Sequence, residues 1–294
     1  MSLEPVARVI CEANSLTFRR FVGAGAFKET FEVRVGGVSH ALKVYNASNN
    51  PERAAREVEA MTRCAHPGIG RLISLATHED TSGRYAYTVE EFLGGGTLSM
   101  RLAAGSMKPS EVFELGIALI DAVAHIANLE LVHRDLKPDN IMFREDGSTP
   151  VVVDFGLVRD LGASSLTHTF VMQGPGTPLF APPEQLMNDK GLIDWRADQF
   201  SLGVVLSLCA FGAHPYQAEG DGPMEIVTRV AARNSSTESF RQTCKAAGLP
   251  ALVKMVEPWP VQRFRTPDML ARAWVAQEPT PYVEPSVPPT ARDG

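Results

Sequence analysis

Two short runs near the middle of the chain carry the residues best able to do chemistry. Residues 133–140 read HRDLKPDN, and residues 154–156 read DFG. The amide of Asn140 and the carboxylate of Asp154 offer hard oxygen ligands, which Mg²⁺ prefers. Asp135 adds a carboxylate that can accept a proton. These groups suit chemistry on phosphate, which depends on positioning and charge neutralisation more than on covalent catalysis.

A glycine-rich stretch and a lysine precede these runs. Residues 22–27 read VGAGAF, and glycine lets a backbone approach phosphate groups closely. Lys43 follows in the run 39–45, which alternates as a strand does. Alone, a Gly-x-Gly is more often a turn, and a strand lysine is more often a solvated edge residue. Their order ahead of the two downstream runs favours a phosphate-binding role.

Together the runs resemble the signature motifs of the eukaryotic-type (Hanks-type) serine/threonine protein kinase family, with some similarity to its bacterial members. The resemblance covers residues 17–276 and implies an α+β, bilobal protein-kinase-like fold. It implies a small β-rich N-lobe with one main helix at 1–93 and a larger, mostly helical C-lobe at 94–278. The Pro-rich tail at 279–294 is expected to be disordered.

The resemblance implies catalytic roles for four residues. Asp135 would accept or orient the proton of the attacking hydroxyl, and Lys137 would reach the γ-phosphate of ATP. Lys43 would hold the α- and β-phosphates and pair with a helix glutamate. Glu57 is the expected partner because it lies ten residues before Pro67 of a His-Pro element. The other glutamates of that helix are interpreted as a solvated face: Glu52 and Glu59. The implied cofactors are ATP and Mg²⁺, and the implied metal ligands are Asn140 and Asp154.

The resemblance also outlines a nucleotide pocket. Backbone groups of the interlobe hinge would bind the adenine edge, and apolar side chains above and below would sandwich the ring. The expected ATP-binding residues are Val22, Gly23, Ala24, Gly25, Ala26, Phe27, Thr30, Ala41, Lys43, Glu91, Leu93 and Met142.

Three positions of the expected nucleotide pocket depart from the family pattern. Lys28 replaces the third glycine of the glycine-rich loop, and Thr30 replaces the valine that packs on adenine. Glu90 stands at the back of the pocket, where an acid is unusual. Lys28 either adds a positive charge near the phosphates or points to solvent, and the sequence leaves both open.

Two features favour serine and threonine over tyrosine as acceptors. Lys137 follows the catalytic aspartate, and Gly176-Thr177-Pro178 resembles the substrate-docking loop of the Ser/Thr branch. Arg134 could receive a phosphate on the activation segment through bidentate bonds. Autophosphorylation is therefore predicted on at least one of Ser164, Ser165, Thr167 and Thr169.

Two structural features are also implied by the resemblance. Glu184 is expected to pair with Arg263, and residues 198–203 are expected to lie in a buried helix that anchors the catalytic loop. From the pattern of its apolar residues, the segment from Glu111 to Ile126 is predicted to be a deeply buried helix.

Composition narrows the class of protein. The net charge is −6, without the basic patch that nucleic-acid binding requires, so that class is excluded. Neither a secretory signal nor a membrane span is visible, and the four cysteines are scattered. A cytoplasmic protein with reduced cysteines, acting on protein substrates through their Ser and Thr residues, is expected.

Two rival interpretations remain open. Departures at Lys28, Thr30 and Glu90 would suit a pseudokinase scaffold that binds nucleotide without transferring phosphate. A kinase-like phosphotransferase acting on a small molecule is less favoured. Such relatives usually lack the activation segment that ends near Glu184 and the intact run at 133–137.

Overall fold

The computed structural model of this chain describes residues 2–25, 28–45, 62–81, 83–154, 159–160 and 177–279. Some of the predictions above lie outside the described residues. They concern Ala26, Phe27, Glu57, Phe155, Gly156, the four candidate phosphorylation sites and the tail beyond Pro279.

Five antiparallel strands form a sheet in the N-terminal part, in the order β1-β2-β3-β5-β4. The strands are β1 Thr17–Ala24, β2 Lys28–Val35, β3 Val38–Tyr45, β4 Leu72–Asp80 and β5 Gly83–Glu91. Gly36 and Gly37 join β2 to β3 with φ of 56° and 85°, a left-handed conformation that glycine adopts at little cost. The strand expected over residues 39–45 is confirmed as β3.

Strand register decides which side chains share a face of this sheet. Lys43 pairs with Thr88, and Ala41 pairs with Glu90. Side chains directly opposite each other in an antiparallel pair point the same way, and they alternate along each strand. Ala41, Lys43, Thr88 and Glu90 therefore lie on one face, which we call the cleft face.

A helix before the first strand covers the opposite face. This helix, α1 (Glu4–Ala13), contacts β1, β2 and β3. The backbone N–H of Leu3 donates to Glu29 Oε2 at 3.0 Å, which satisfies a donor at the helix start. Buried residues of α1 form one apolar cluster with residues of β2 and β3. The helix contributes Val6, Ala7, Ile10 and Cys11, and the strands contribute Phe31, Val33, Leu42 and Val44. This helix is not among the elements expected from the sequence.

The C-terminal part is mainly helical. Its helices are α2 Leu98–Leu102, α3 Pro109–Asn128, α4 Pro183–Leu186, α5 Trp195–Phe211, α6 Pro223–Ala231, α7 Glu238–Ala246, α8 Ala251–Met255 and α9 Pro267–Val275. The predicted buried helix from Glu111 to Ile126 is confirmed as most of α3. Trp274 of α9 lies so close to Gly116 of α3 that a Cβ there would be 2.2 Å from the indole.

Short strands and one-turn 3₁₀ helices lie in the segments that connect these helices. β6 (Leu131–Val132) pairs with β9 (Arg159–Asp160), and β7 (Ile141–Phe143) pairs with β8 (Pro150–Val152). One-turn 3₁₀ helices span Pro138–Asn140, Thr177–Phe180, Lys190–Leu192 and Pro260–Gln262. The four cysteines are buried free thiols, as expected. Within the described ranges, every helix is too short or too polar to cross a membrane.

Candidate active site

The loop at 133–137 is fixed by a buried carboxylate from α5. Asp198 accepts hydrogen bonds from the backbone N–H groups of His133 at 2.7 Å and Arg134 at 2.8 Å. Burial raises the pKa of Asp198, although these hydrogen bonds and His133 favour its charged form. Arg134 has φ of 70°, and Gln185 Nε2 of α4 donates to its carbonyl at 3.0 Å. The left-handed residue is thus held from two sides, and the predicted anchoring role of the buried helix is confirmed.

Asp135 lies at the centre of a small polar network. Lys137 Nζ is 2.9 Å from Asp135 Oδ2. Asn140 Nδ2 donates to the same oxygen at 3.0 Å and to the Asp135 carbonyl at 2.8 Å. Because the amide nitrogen of Asn140 is used in this way, its amide oxygen is the atom left to face a metal ion. The structure therefore brings three predicted site residues together.

Asp154 lies beside this network. The backbone N–H of Val153 donates to the Asn140 carbonyl at 2.9 Å, and His133 Nε2 donates to the Val153 carbonyl at 3.1 Å. Asp154 follows with φ of 68°. These contacts join the two motif runs, so that both expected metal ligands belong to adjacent backbone segments.

The charge state of Asp154 suits a metal ligand. Burial alone would raise the pKa of its carboxyl, but the positive charges of Lys28 and Lys43 hold that pKa well below its usual range. Its side chain keeps 35% of its surface exposed, so a ligand can approach it. An ionised carboxylate and an amide oxygen are ligands of the kind that Mg²⁺ binds, and the chemistry of the residues present fits this ion.

Lys28 points into the cleft. Its Nζ lies 2.9 Å from Asp154 Oδ1, and its side chain is only 12% exposed. Of the two orientations that the sequence left open, the structure has the one inside the cleft. The ammonium therefore lies directly on a carboxylate that is expected to bind metal.

Lys43 has a partner that the sequence analysis missed. Its Nζ lies 2.6 Å from Glu90 Oε2, and both side chains are buried. Thr88 Oγ1 donates to the other oxygen, Glu90 Oε1, at 2.8 Å. A buried acid requires a cation, so the unusual Glu90 was itself a signal. Pairing Glu57 with Lys43 stays a prediction, because Glu57 lies outside the described residues.

Glu91, which is expected to lie in the interlobe hinge, is fixed by two contacts. Its backbone N–H donates to the Arg71 carbonyl at 3.0 Å, and its carboxylate lies 3.2 Å from the Arg144 guanidinium. Because the N–H of Glu91 is used by Arg71, the carbonyl of Glu91 is the backbone group left to bind adenine. Leu93 follows closely along the chain and is buried, Ala41 is buried opposite Glu90 on β3, and Met142 is half-buried.

Glu184 and Arg263 form the buried ion pair that the resemblance implied. Arg263 donates to both oxygens of Glu184, at 2.6 and 3.0 Å, and neither side chain is exposed. Arg263 also donates to the carbonyls of Glu257 and Arg196. The predicted structural pair is confirmed.

A five-stranded antiparallel sheet, a mainly helical C-terminal part and motif residues gathered in the cleft are the features of the protein kinase class. Residues 16–275 match the protein kinase domain family, and the chain belongs to that family. The resemblance and the α+β fold class expected from the sequence are both confirmed.

Relatives with curated names are protein kinases from bacteria and other organisms. The chain is 28% identical to a probable serine/threonine-protein kinase of Clostridium perfringens, over 83% of this chain and 36% of that protein. It is 31% identical to the DNA damage-responsive serine/threonine-protein kinase RqkA of Deinococcus radiodurans, over 68% of this chain and 30% of that protein. It is 27% identical to the serine/threonine-protein kinase PrkC of Bacillus subtilis, over 77% and 34%. The match spans about a third of the length of these relatives.

Proposed function

We propose that this chain is an ATP- and Mg²⁺-dependent protein kinase that phosphorylates Ser and Thr hydroxyls of proteins. The observation that carries the proposal is the network of Asp135 with Lys137 and Asn140, placed next to Asp154. The names of the relatives support the choice of Ser and Thr as acceptors.

Asp135 supplies the base of the proposed reaction. As the acceptor oxygen forms a bond to the γ-phosphorus, the bond to the β–γ bridging oxygen breaks and ADP leaves with the electron pair. Asp135 takes the hydroxyl proton, and Lys137 stays close enough to compensate charge on the transferred group. Mg²⁺ held by Asn140 and Asp154 would neutralise charge on the phosphate oxygens.

Lys43 is proposed to orient the nucleotide phosphates after leaving Glu90. Glu57 is the proposed alternative partner that would receive Lys43 in the catalytic state. The assignments of the glycine-rich loop and of Glu91, Leu93, Ala41 and Met142 to nucleotide binding also stand as proposals, as does autophosphorylation of the activation segment.

The test uses labelled ATP, Mg²⁺ and a basic protein substrate with wild type, Asp135→Asn and Asp139→Asn. Asp139 belongs to the same run but is exposed, so its variant is a matched control. We expect Asp135→Asn to lower transfer by at least about 10²-fold, because general-base catalysis contributes that much. Asp139→Asn is expected to keep nearly all transfer, and the label should be on serine or threonine.

Contrary results would separate the rival functions. Tight nucleotide binding by wild type without transfer, also after treatment with an activating kinase or a phosphatase, would favour the pseudokinase scaffold. Transfer by Asp135→Asn at the wild-type rate would remove Asp135 from the mechanism. Competition by a small alcohol substrate would favour the small-molecule phosphotransferase.

A further inference from the structure

Lys28 lies on the side of the sheet that faces the cleft. In the register of β2 and β3, Thr30 pairs with Lys43 and Lys28 pairs with Tyr45. Residues two apart on a strand share a face, so Lys28 and Thr30 point the same way as Lys43. The contact of Lys28 Nζ with Asp154 Oδ1 at 2.9 Å agrees with this register.

The other lysines of the described cleft have their charge compensated by neighbouring acids. Lys43 lies against Glu90, a buried carboxylate, at 2.6 Å. Lys137 lies 2.9 Å from Asp135. Each pair is electrically neutral as a unit, whereas the polyphosphate of a nucleotide carries several negative charges. Beyond the charge that Mg²⁺ would offset, a further lysine can contribute only if its own partner can be replaced when the nucleotide binds.

Lys28 meets that requirement because its partner is an expected metal ligand. Asp154 would hold the divalent ion, and the charge of that ion would repel the Lys28 ammonium from the same carboxylate. Mg²⁺–oxygen bonds are only about 2.0–2.1 Å long, so phosphate oxygens that share an ion with Asp154 must lie close to that carboxylate. The lysine stem is flexible, and a small rotation takes the ammonium from the carboxylate to a phosphate.

We propose that Lys28 is a second phosphate-binding lysine of this cleft, with the polyphosphate of ATP as its ligand and Asp154 as its partner when nucleotide is absent. The inference rests on the proposed function, since it assumes that ATP binds here. It adds to that function a second lysine besides Lys43, at the position of the third glycine of the glycine-rich loop.

The test compares nucleotides that differ only in their number of phosphates. Affinities for adenosine, ADP and ATP are measured by calorimetry with Mg²⁺ for wild type, Lys28→Met, Lys28→Arg and Lys245→Met. Lys245 is exposed on α7, so its variant is the control for loss of one lysine charge. We expect Lys28→Met to weaken ATP binding about tenfold or more, the effect of one charge-assisted contact, and to change adenosine binding less than about twofold.

Each other outcome has a distinct meaning. Lys28→Arg keeps the charge, so it should recover most of the ATP affinity, and Lys245→Met should match wild type. Equal losses for adenosine and ATP in Lys28→Met would indicate a structural effect and overturn the proposal. Unchanged ATP affinity would also overturn it, while leaving the phosphate-transfer result for wild type intact. Failure of wild type to bind ATP at all would instead overturn the proposed function.

Discussion

At the scale of single residues, Glu90 controls the charge that Lys43 can offer. The carboxylate is buried and is held by Lys43 at 2.6 Å and by Thr88 at 2.8 Å. Leaving a buried carboxylate without its cation strongly destabilises the folded protein. Transfer of Lys43 to a nucleotide phosphate is therefore opposed by the cost of leaving Glu90 without its partner.

Neutralising Glu90 should strengthen nucleotide binding. Glu90→Gln keeps the shape of the side chain and an acceptor for Thr88, but it removes the charge that competes for Lys43. We expect ATP affinity to rise roughly three- to tenfold, which corresponds to about 0.6 to 1.4 kcal/mol, with little change for adenosine. Titration calorimetry of both ligands measures this, with the exposed Glu79→Gln on β4 as control. A fall in ATP affinity would mean that Glu90 supports Lys43 instead of competing with it.

Residue spacing predicted the catalytic loop but not the partners of the lysines. Asp135, Lys137 and Asn140 lie within one run, so their contacts follow from local geometry once the motif is recognised. The contacts of Lys28 and Lys43 join segments far apart in the chain. They depend on strand register and on how the two lobes meet, which side-chain pattern alone does not fix.

At the scale of elements, α1 is an addition to the sheet that the motif pattern did not predict. Val6, Ala7, Ile10 and Cys11 are buried, and their spacing is that of one helical face. The resemblance to kinases begins near Thr17, so it gave no expectation for this segment. The reason for this helix is seen only in the folded sheet, because α1 covers the apolar side chains of the strands opposite the cleft face.

Removing one buried side chain from α1 tests how much the helix stabilises the N-terminal sheet. Ile10 is fully buried, whereas its neighbour Val9 is 44% exposed. We expect Ile10→Ala to lower the free energy of unfolding by about 2–5 kcal/mol because it leaves a cavity. Val9→Ala should cost less than about 1 kcal/mol. Urea denaturation measures both, and equal effects would show that α1 adds little to the stability of the sheet.

At the scale of the whole molecule, buried polar contacts between distant segments hold the helical part together. His214, which lies just after α5, makes one such contact with Leu179. Its Nε2 donates to the Leu179 carbonyl at 2.9 Å, and its Nδ1 accepts from the Tyr216 N–H at 3.1 Å. This pattern requires a neutral ring, and burial lowers the pKa of His214 to about 4. The two-lobe architecture could be predicted from the motifs, but such contacts depend on the packed arrangement of helices.

The neutral state of His214 makes stability depend on pH. An unfolded histidine has a pKa of about 6.5, so between about pH 6.5 and pH 4 the unfolded chain binds the proton that the folded chain excludes. The contribution is fully present at pH 7 and is lost as the pH falls, with about 2 kcal/mol lost by pH 5. His214→Asn removes this titration. We expect it to be less stable than wild type at pH 7 but to lose about 2 kcal/mol less between pH 7 and pH 5. Denaturant unfolding at the two pH values measures the difference, and equal losses in both proteins would mean that His214 does not control acid stability.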